Sequence, residues 1–148
     1  MAVIRKATKD DVFDLLILAR GFSKEAPEMH KWDKDKTEAL LNSVIEADMC
    51  VAFVWEEDDE IVGGLIGVVQ PLFMSHTIVA AELAWFVDRD ARGKSGSIKL
   101  VKSFEAWAEE KGADYVTMAD IQGIANLSKL YERLGYKLTE TAYSKRIK

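Results

Sequence analysis

The 148-residue chain holds a single cysteine, Cys50, so no disulfide can form within it and a small disulfide-stapled scaffold is excluded. Cys50 stands in an apolar run, where a thiol is expected to act as a small buried hydrophobe in a reducing compartment. An excess of positive charge is also missing. With 20 basic and 25 acidic residues and a net charge of −5, the chain lacks the broad cationic surface that nonspecific nucleic-acid binding requires. A cationic small molecule or an amine is the better tolerated partner. No apolar run approaches the roughly 20 residues that span a bilayer. The opening MAVIRKATKDD has no signal-peptide apolar core, so the expectation is a soluble cytoplasmic protein without a membrane partner. One further absence concerns the tripeptide Gly93-Lys94-Ser95. A nucleotide phosphate loop ending there needs a glycine five positions earlier, and Asp88 occupies that place, where its carboxylate repels phosphate.

Hydrophobic side chains make up 49% of the chain, which suits one compact domain over residues 1–148. Val3 to Ala7 reads as a short strand. Thr8 follows as an N-cap with Asp11 three residues on, and Val12, Leu15, Leu16 and Ala19 form a helical stripe that Gly21 is expected to end. The polar stretch FSKEAPEMHKWDKD predicts a loop before a second helix that carries Leu40, Leu41, Val44 and Ile45. MCVAFVW and IVGGLIGVVQ are β-rich runs on either side of the acidic cluster EEDDE, a pattern that predicts an antiparallel hairpin.

Another strand is expected from Ile78 to Val87, then a helix from about Ser97 to Lys111 with Ile98, Val101, Phe104 and Ala108 buried and Gly112 at its end. DYVTMAD reads as a short buried strand, NLSKLYERL as a short helix ended by Gly135, and YKLTETAYSKRIK as one or two final strands. A hairpin-built half joined to βα units predicts an α/β (α+β) fold with a mixed, mostly antiparallel sheet covered by helices.

The segment RGKSGS lies where a strand runs into a helix. The first backbone N–H groups of a helix have no partner within it and converge on one volume, which suits phosphate oxygens. The amides from Gly93 through Ser97, the charges of Arg92 and Lys94, and the hydroxyls of Ser95 and Ser97 are the candidate donors. An ordinary basic helix entrance explains the same residues.

Two separated motifs narrow the choice. Arg92-Gly93-Lys94-Ser95-Gly96-Ser97, after AELAWFVDRDA, resembles the Arg/Gln-x-x-Gly-x-Gly/Ala turn of the GNAT acyl-CoA N-acyltransferases. NLSKLYERLGY resembles that family's Asn-x4-Tyr-x3-Gly-aromatic segment, with Asn126, Tyr131, Gly135 and Tyr136 in the matching places. The resemblance extends over nearly the whole chain. Ser95 stands where the family has glycine and Ser97 where it has glycine or alanine, so either the loop follows a different path or the hydroxyls bond phosphate directly.

The resemblance implies a central sheet with a splayed strand pair, about four flanking helices, and acetyl-CoA as cosubstrate. It implies no metal. Trp85, Phe86 and Val87 would offer backbone groups to the pantetheine arm as an added strand does, and Asn126 would touch the cofactor unless it only caps its helix. Glu82 would take the proton of the attacking amine, or serve as a solvent-facing charge, with His76 a rival base and His30 a weaker one. Tyr131 would protonate the departing thiolate, or only extend the stripe of Leu127, Leu130 and Leu134. The acceptor is a small-molecule or peptide amine. A noncatalytic acyl-CoA sensor is the alternative, a magnesium-dependent phosphotransferase rests on Gly-Lys-Ser alone, and a homodimer paired through the final strands is open.

Overall fold

The computed structural model describes residues 1–121 and 126–148. Five strands form one sheet in chain order: β1 (Ala2–Lys6), β2 (Cys50–Glu57), β3 (Glu60–Pro71), β4 (Ile78–Val87) and β5 (Tyr115–Thr117). The first three pairings are antiparallel and β4–β5 is parallel. Helices α1 (Val12–Glu25), α2 (Lys34–Glu46), α3 (Gly96–Glu110) and α4 (Ser128–Arg133) complete the order. Among the described residues no helix is long and apolar enough to cross a membrane.

Local chemistry explains the joints. The Thr8 N–H donates to Asp11 Oδ2 at 2.7 Å, and the same carboxylate meets Arg5 at 2.7 Å, so the turn from β1 into α1 is fixed by a reciprocal cap and an ion pair. The β2–β3 hairpin turns at Asp58 and Asp59, with φ of 51° and 64°. A two-residue loop of this hand matches the twist of the flanking strands, and short acidic side chains tolerate it.

Alternation along β2 divides the core. Val51, Phe53 and Trp55 point to the α3 side of the sheet, whereas Ala52 and Val54 point to the α1–α2 side. On the α3 side Leu100, Val101 and Phe104 are fully buried. At the start of α3 a Cβ on Gly96 would lie 2.0 Å from Trp55, so only glycine lets the helix mouth sit this close to the sheet.

Several expectations change. Gly21 does not end α1, which runs on to Glu25, because Phe22 packs edge-on against Phe86 at 5.5 Å and rewards another turn of helix. β5 is shorter and more open than a buried strand, with Tyr115 and Thr117 exposed. Cys50 is half-buried. Residues 136–148 contain no strand, and Leu138, Tyr143 and Ile147 are each about nine-tenths exposed. A strand needs a neighbouring edge, and this tail takes none: Tyr136 donates to Glu105 at 2.8 Å, and farther on Arg146 pairs with Glu28 at 3.1 Å.

Candidate active site

The site begins where β4 loses a neighbour. Val79, Ala80 and Ala81 pair with Tyr115, Val116 and Thr117, after which β5 ends while β4 continues to Val87. On its other edge β4 carries an extra residue: Ile66 faces Ala84 and Gly67 faces Glu82, leaving Leu83 as a bulge. A bulge bends its strand and re-aims the side chains beside it. Glu82 thereby enters the split between the strands, together with Trp85, Phe86 and Val87.

That split is the wall of a cavity of about 400 Å3. Arg92, Gly93, Lys94, Ser97 and Ile98 close the end nearest α3, and Ala119, Asp120 and Ile121 line the β5 side. Leu127, Leu130 and Arg133 bring in α4. The turn at the α3 end is built on Gly93 at φ 84°, a left-handed conformation that glycine adopts without strain. The N–H groups of Lys94 and Ser97 bond back to Ala91 and Lys94 at 3.3 Å each. Among the described residues those of Gly93, Ser95 and Gly96 have no partner. Ser95 is exposed and Gly96 is buried against Trp55, and neither lines the cavity, so Gly96 shapes the turn by packing.

Arg92 has a different setting from the one the motif suggested. Its Nε donates to the Val87 carbonyl at 2.9 Å, and its two terminal nitrogens grip Glu25 at 3.0 and 2.6 Å, while its face lies 5.3 Å from the Phe86 ring. Arg89 reaches the same carboxylate at 3.2 Å. The Arg92 hydrogen bonds hold the Glu25 carboxyl below the usual carboxylate range. Glu25 thus ties the end of α1 to the turn. Sequence reasoning placed it in a polar loop because the helix was expected to stop at Gly21.

The reactive end centres on one residue, Ala119. Its N–H donates to Glu82 Oε1 at 3.3 Å, and its carbonyl accepts the Tyr131 hydroxyl at 2.7 Å. Burial pushes the Glu82 carboxyl up to about 7, against the opposing pull of the Ala119 N–H. A carboxylate so placed exchanges protons readily near neutrality. Burial first, then the charges of Glu82 and Asp120, push the Tyr131 phenol well above its ordinary range, so it keeps its proton. Tyr131 packs between Trp85 and Tyr136, its ring tilted against both with centroids 6.2 and 5.7 Å away, and does not itself line the cavity.

Other candidates lie elsewhere. Asn126 is outside the wall, and its Oδ1 accepts from the Ser128 N–H at 3.2 Å and hydroxyl at 2.8 Å, one residue ahead of Leu127, the N-cap of α4. His76 is exposed on the β3–β4 connection, and His30 packs against Phe22 at 5.8 Å; neither borders the cavity. Asp120 and Arg133, unremarked in the sequence, do border it. Asp120 accepts from the Leu127 N–H at 3.2 Å, joining the end of β5 to the start of α4.

A strand split open beside a helix mouth with amides unpaired among the described residues, and a poised carboxylate on the wall with a tyrosine behind it, suits a thioester cosubstrate and an amine. The model of the acetyltransferase (GNAT) family matches residues 10–136, and this chain belongs to that family. No match was found among curated proteins. The chain is similar in structure to the aminoglycoside N-acetyltransferase AAC(6')-Iy in complex with the bisubstrate analogue CoA-S-monomethyl-acetylneamine, at 17% identity and a TM-score of 0.83, with 100% of this chain and 99% of that one covered. Glucosamine-6-phosphate N-acetyltransferase from Arabidopsis thaliana aligns at 17% identity and a TM-score of 0.79, covering 100% and 99%. A ribosomal-protein-alanine N-acetyltransferase from Brucella melitensis biovar Abortus 2308 aligns at 18% and 0.79, covering 100% of each chain. At these identities the likeness is one of fold.

Proposed function

We propose that the protein transfers an acetyl or other short acyl group from coenzyme A to a primary amine, by direct attack within a ternary complex. The observation that carries this reading is the single cavity joining the Gly93 turn to Glu82. The residues fit the cosubstrate: the amides of Gly93, Ser95 and Gly96, without partners among the described residues, suit a diphosphate, with Lys94 nearby, and the edge of Trp85–Val87 that β5 leaves uncovered suits the amide groups of a pantetheine arm, the Val87 carbonyl excepted because Arg92 holds it. Arg92 contributes by bracing the turn through Val87 and Glu25.

The chemistry follows from the two ionisable groups. An alkylammonium has a pKa near that of lysine, about 10.4, and attacks only after losing its proton. Ionised Glu82 accepts that proton, and the neutral amine then forms the C–N bond. Collapse of the adduct breaks the C–S bond, the sulfur takes a proton from Tyr131, and the phenolate regains one from the newly acylated nitrogen, while Glu82 returns its own to solvent. A buried phenol facing two carboxylates is a poor acid, so the order matters: once Glu82 has been neutralised, one of the charges opposing ionisation of Tyr131 is gone.

Calorimetry with acetyl-CoA tests the binding half, and no heat at millimolar ligand would remove the proposal. Release of free thiol with a panel of amines tests the transfer half. A noncatalytic acyl-CoA sensor remains the second reading, favoured by Ser95 in place of glycine and by the engagement of Arg92 with Glu25; turnover with any amine eliminates it. A homodimer joined through residues 136–148 is part of the proposal, supported by the exposed Leu138, Tyr143 and Ile147. Light scattering that gives a monomer mass at assay concentration removes that part.

A further inference from the structure

Three hydrogen bonds form a ring behind the cavity wall. Asp120 Oδ2 accepts from the Leu127 N–H at 3.2 Å, the Leu127 carbonyl accepts from the Tyr131 N–H at 2.9 Å, and the Tyr131 hydroxyl donates to the Ala119 carbonyl at 2.7 Å. Ala119 and Asp120 are neighbours in the chain, which closes the ring. The Ala119 N–H also donates to Glu82 at 3.3 Å, so the ring and the carboxylate share an anchor.

The helix inside this ring cannot place itself. α4 has six residues, too few to persist as a helix in water without tertiary contacts. Beyond its C-terminal end Leu134 and Tyr136 pack on the α3 side of the sheet, and Tyr136 donates to Glu105 at 2.8 Å. At its start Asn126 bonds only Ser128, a contact within the turn itself. Among the described residues, Asp120 is the side chain that ties the start of α4 to a distant part of the chain. A bond at the Tyr131 hydroxyl alone would let the helix pivot about that point. A second bond at Leu127, about one helical turn away, removes the pivot.

Two roles compete for Asp120, because it also borders the cavity and its Oδ1 is buried without a partner among the described residues. One is charge toward the cavity; the other is reach toward α4. The ring favours reach. Resting on the proposed acid role of Tyr131, we infer that Asp120 is a positioning residue: by holding Leu127 it fixes the start of α4 and sets the Tyr131 hydroxyl on the residue that also anchors Glu82.

The test joins steady-state kinetics to amide hydrogen exchange on the full chain. Asp120→Ala removes the acceptor, and kcat is expected to fall about 10- to 100-fold while KM for acetyl-CoA changes by less than about threefold. Asp120→Asn keeps an oxygen for the Leu127 N–H without the charge and should recover most of that loss. In the Tyr131→Phe background Asp120→Ala should add less than about a twofold loss, since the group it positions is gone. Exchange at the α4 amides should quicken about tenfold in Asp120→Ala and stay near wild type in Asp120→Asn. Should the alanine variant fail to fold, Asp120→Glu keeps the charge but shifts the oxygens by one methylene, and should lower kcat about tenfold. Unchanged kcat or unchanged exchange in these variants overturns the inference, as do losses that multiply with Tyr131→Phe. Asparagine as damaging as alanine also overturns it and assigns Asp120 to charge. Exchange needs no turnover, so the two readings fail separately. Faster α4 exchange without any acyl transfer supports the tie and defeats the enzyme, whereas transfer undiminished in Asp120→Ala does the reverse.

Discussion

The two halves of β4 share one strand and have opposite fates. From Ile78 to Ala81 the backbone is paired on both edges, with Val79 and Ala80 buried. From Glu82 to Val87 it is paired with β3 alone, and its other edge faces a cavity. The first half holds the sheet together, while the second leaves backbone groups and a half-buried carboxylate available to a ligand. A short β5 and one bulged residue produce the difference, so a few residues convert paired sheet into an open edge beside a cavity.

The comparison is broken most severely at the open half. Tyr131→Phe is expected to lower turnover by about 10^2 to 10^4 with acetyl-CoA affinity nearly kept, as steady-state kinetics beside calorimetry will show. An unchanged rate would refute the acid role. Glu82→Gln comes next, with turnover lower by about 10^2. In the wild type kcat/KM should rise through about pH 7 as Glu82 ionises, and this inflection should vanish in the variant.

The same carboxyl affects stability. Its folded value lies above the unfolded 4.5, so the folded state binds the proton more tightly, and the stabilisation this gives is present below pH 4.5 and lost as pH rises through about 7. Glu82→Gln should therefore melt closer to, or above, the wild type at pH 8 than at pH 4.

Gly96→Ala tests the mouth of α3. Its new Cβ would meet Trp55 at 2.0 Å, and the resulting shift should cost about 1–3 kcal/mol in chemical denaturation and weaken acetyl-CoA binding as well. At the closed half, Val79→Ala should cost about 1–2 kcal/mol through lost burial while acetyl-CoA affinity is unchanged. The smallest effect expected is that of Glu25→Gln. The partly exposed pair it disrupts is worth about 1 kcal/mol or less after solvent screening, measured by the denaturation midpoint.

What the sequence makes legible is what local chemistry decides. The β-rich run MCVAFVW locates β2, and the acidic cluster after it locates the hairpin, because branched and aromatic residues favour strands and a solvated turn must break them. The turn at Arg92–Ser97 is readable because its glycines and charges carry the signal themselves, whereas Glu82 enters only through the resemblance to the family. Contacts between distant elements are not readable in that way. The run of α1 past Gly21 depends on Phe86, some 64 residues away, and the capture of Arg92 by Glu25 depends on that extra turn. Serine at 95 and glycine at 96 look alike in sequence as amide donors, yet Trp55 leaves no room for a side chain at Gly96 and gives that residue a packing role besides. The tail reads as one or two strands by residue type, but residue type does not supply an edge to pair with.

The most direct measurement is a crystal structure of the chain bound to acetyl-CoA. The account predicts a diphosphate on the amides at Gly93, Ser95 and Gly96, the pantetheine arm along Trp85–Val87, and the thioester carbon beside Glu82. A diphosphate bound away from the Gly93 turn, or a cavity closed by its own side chains with the cosubstrate outside, would contradict it.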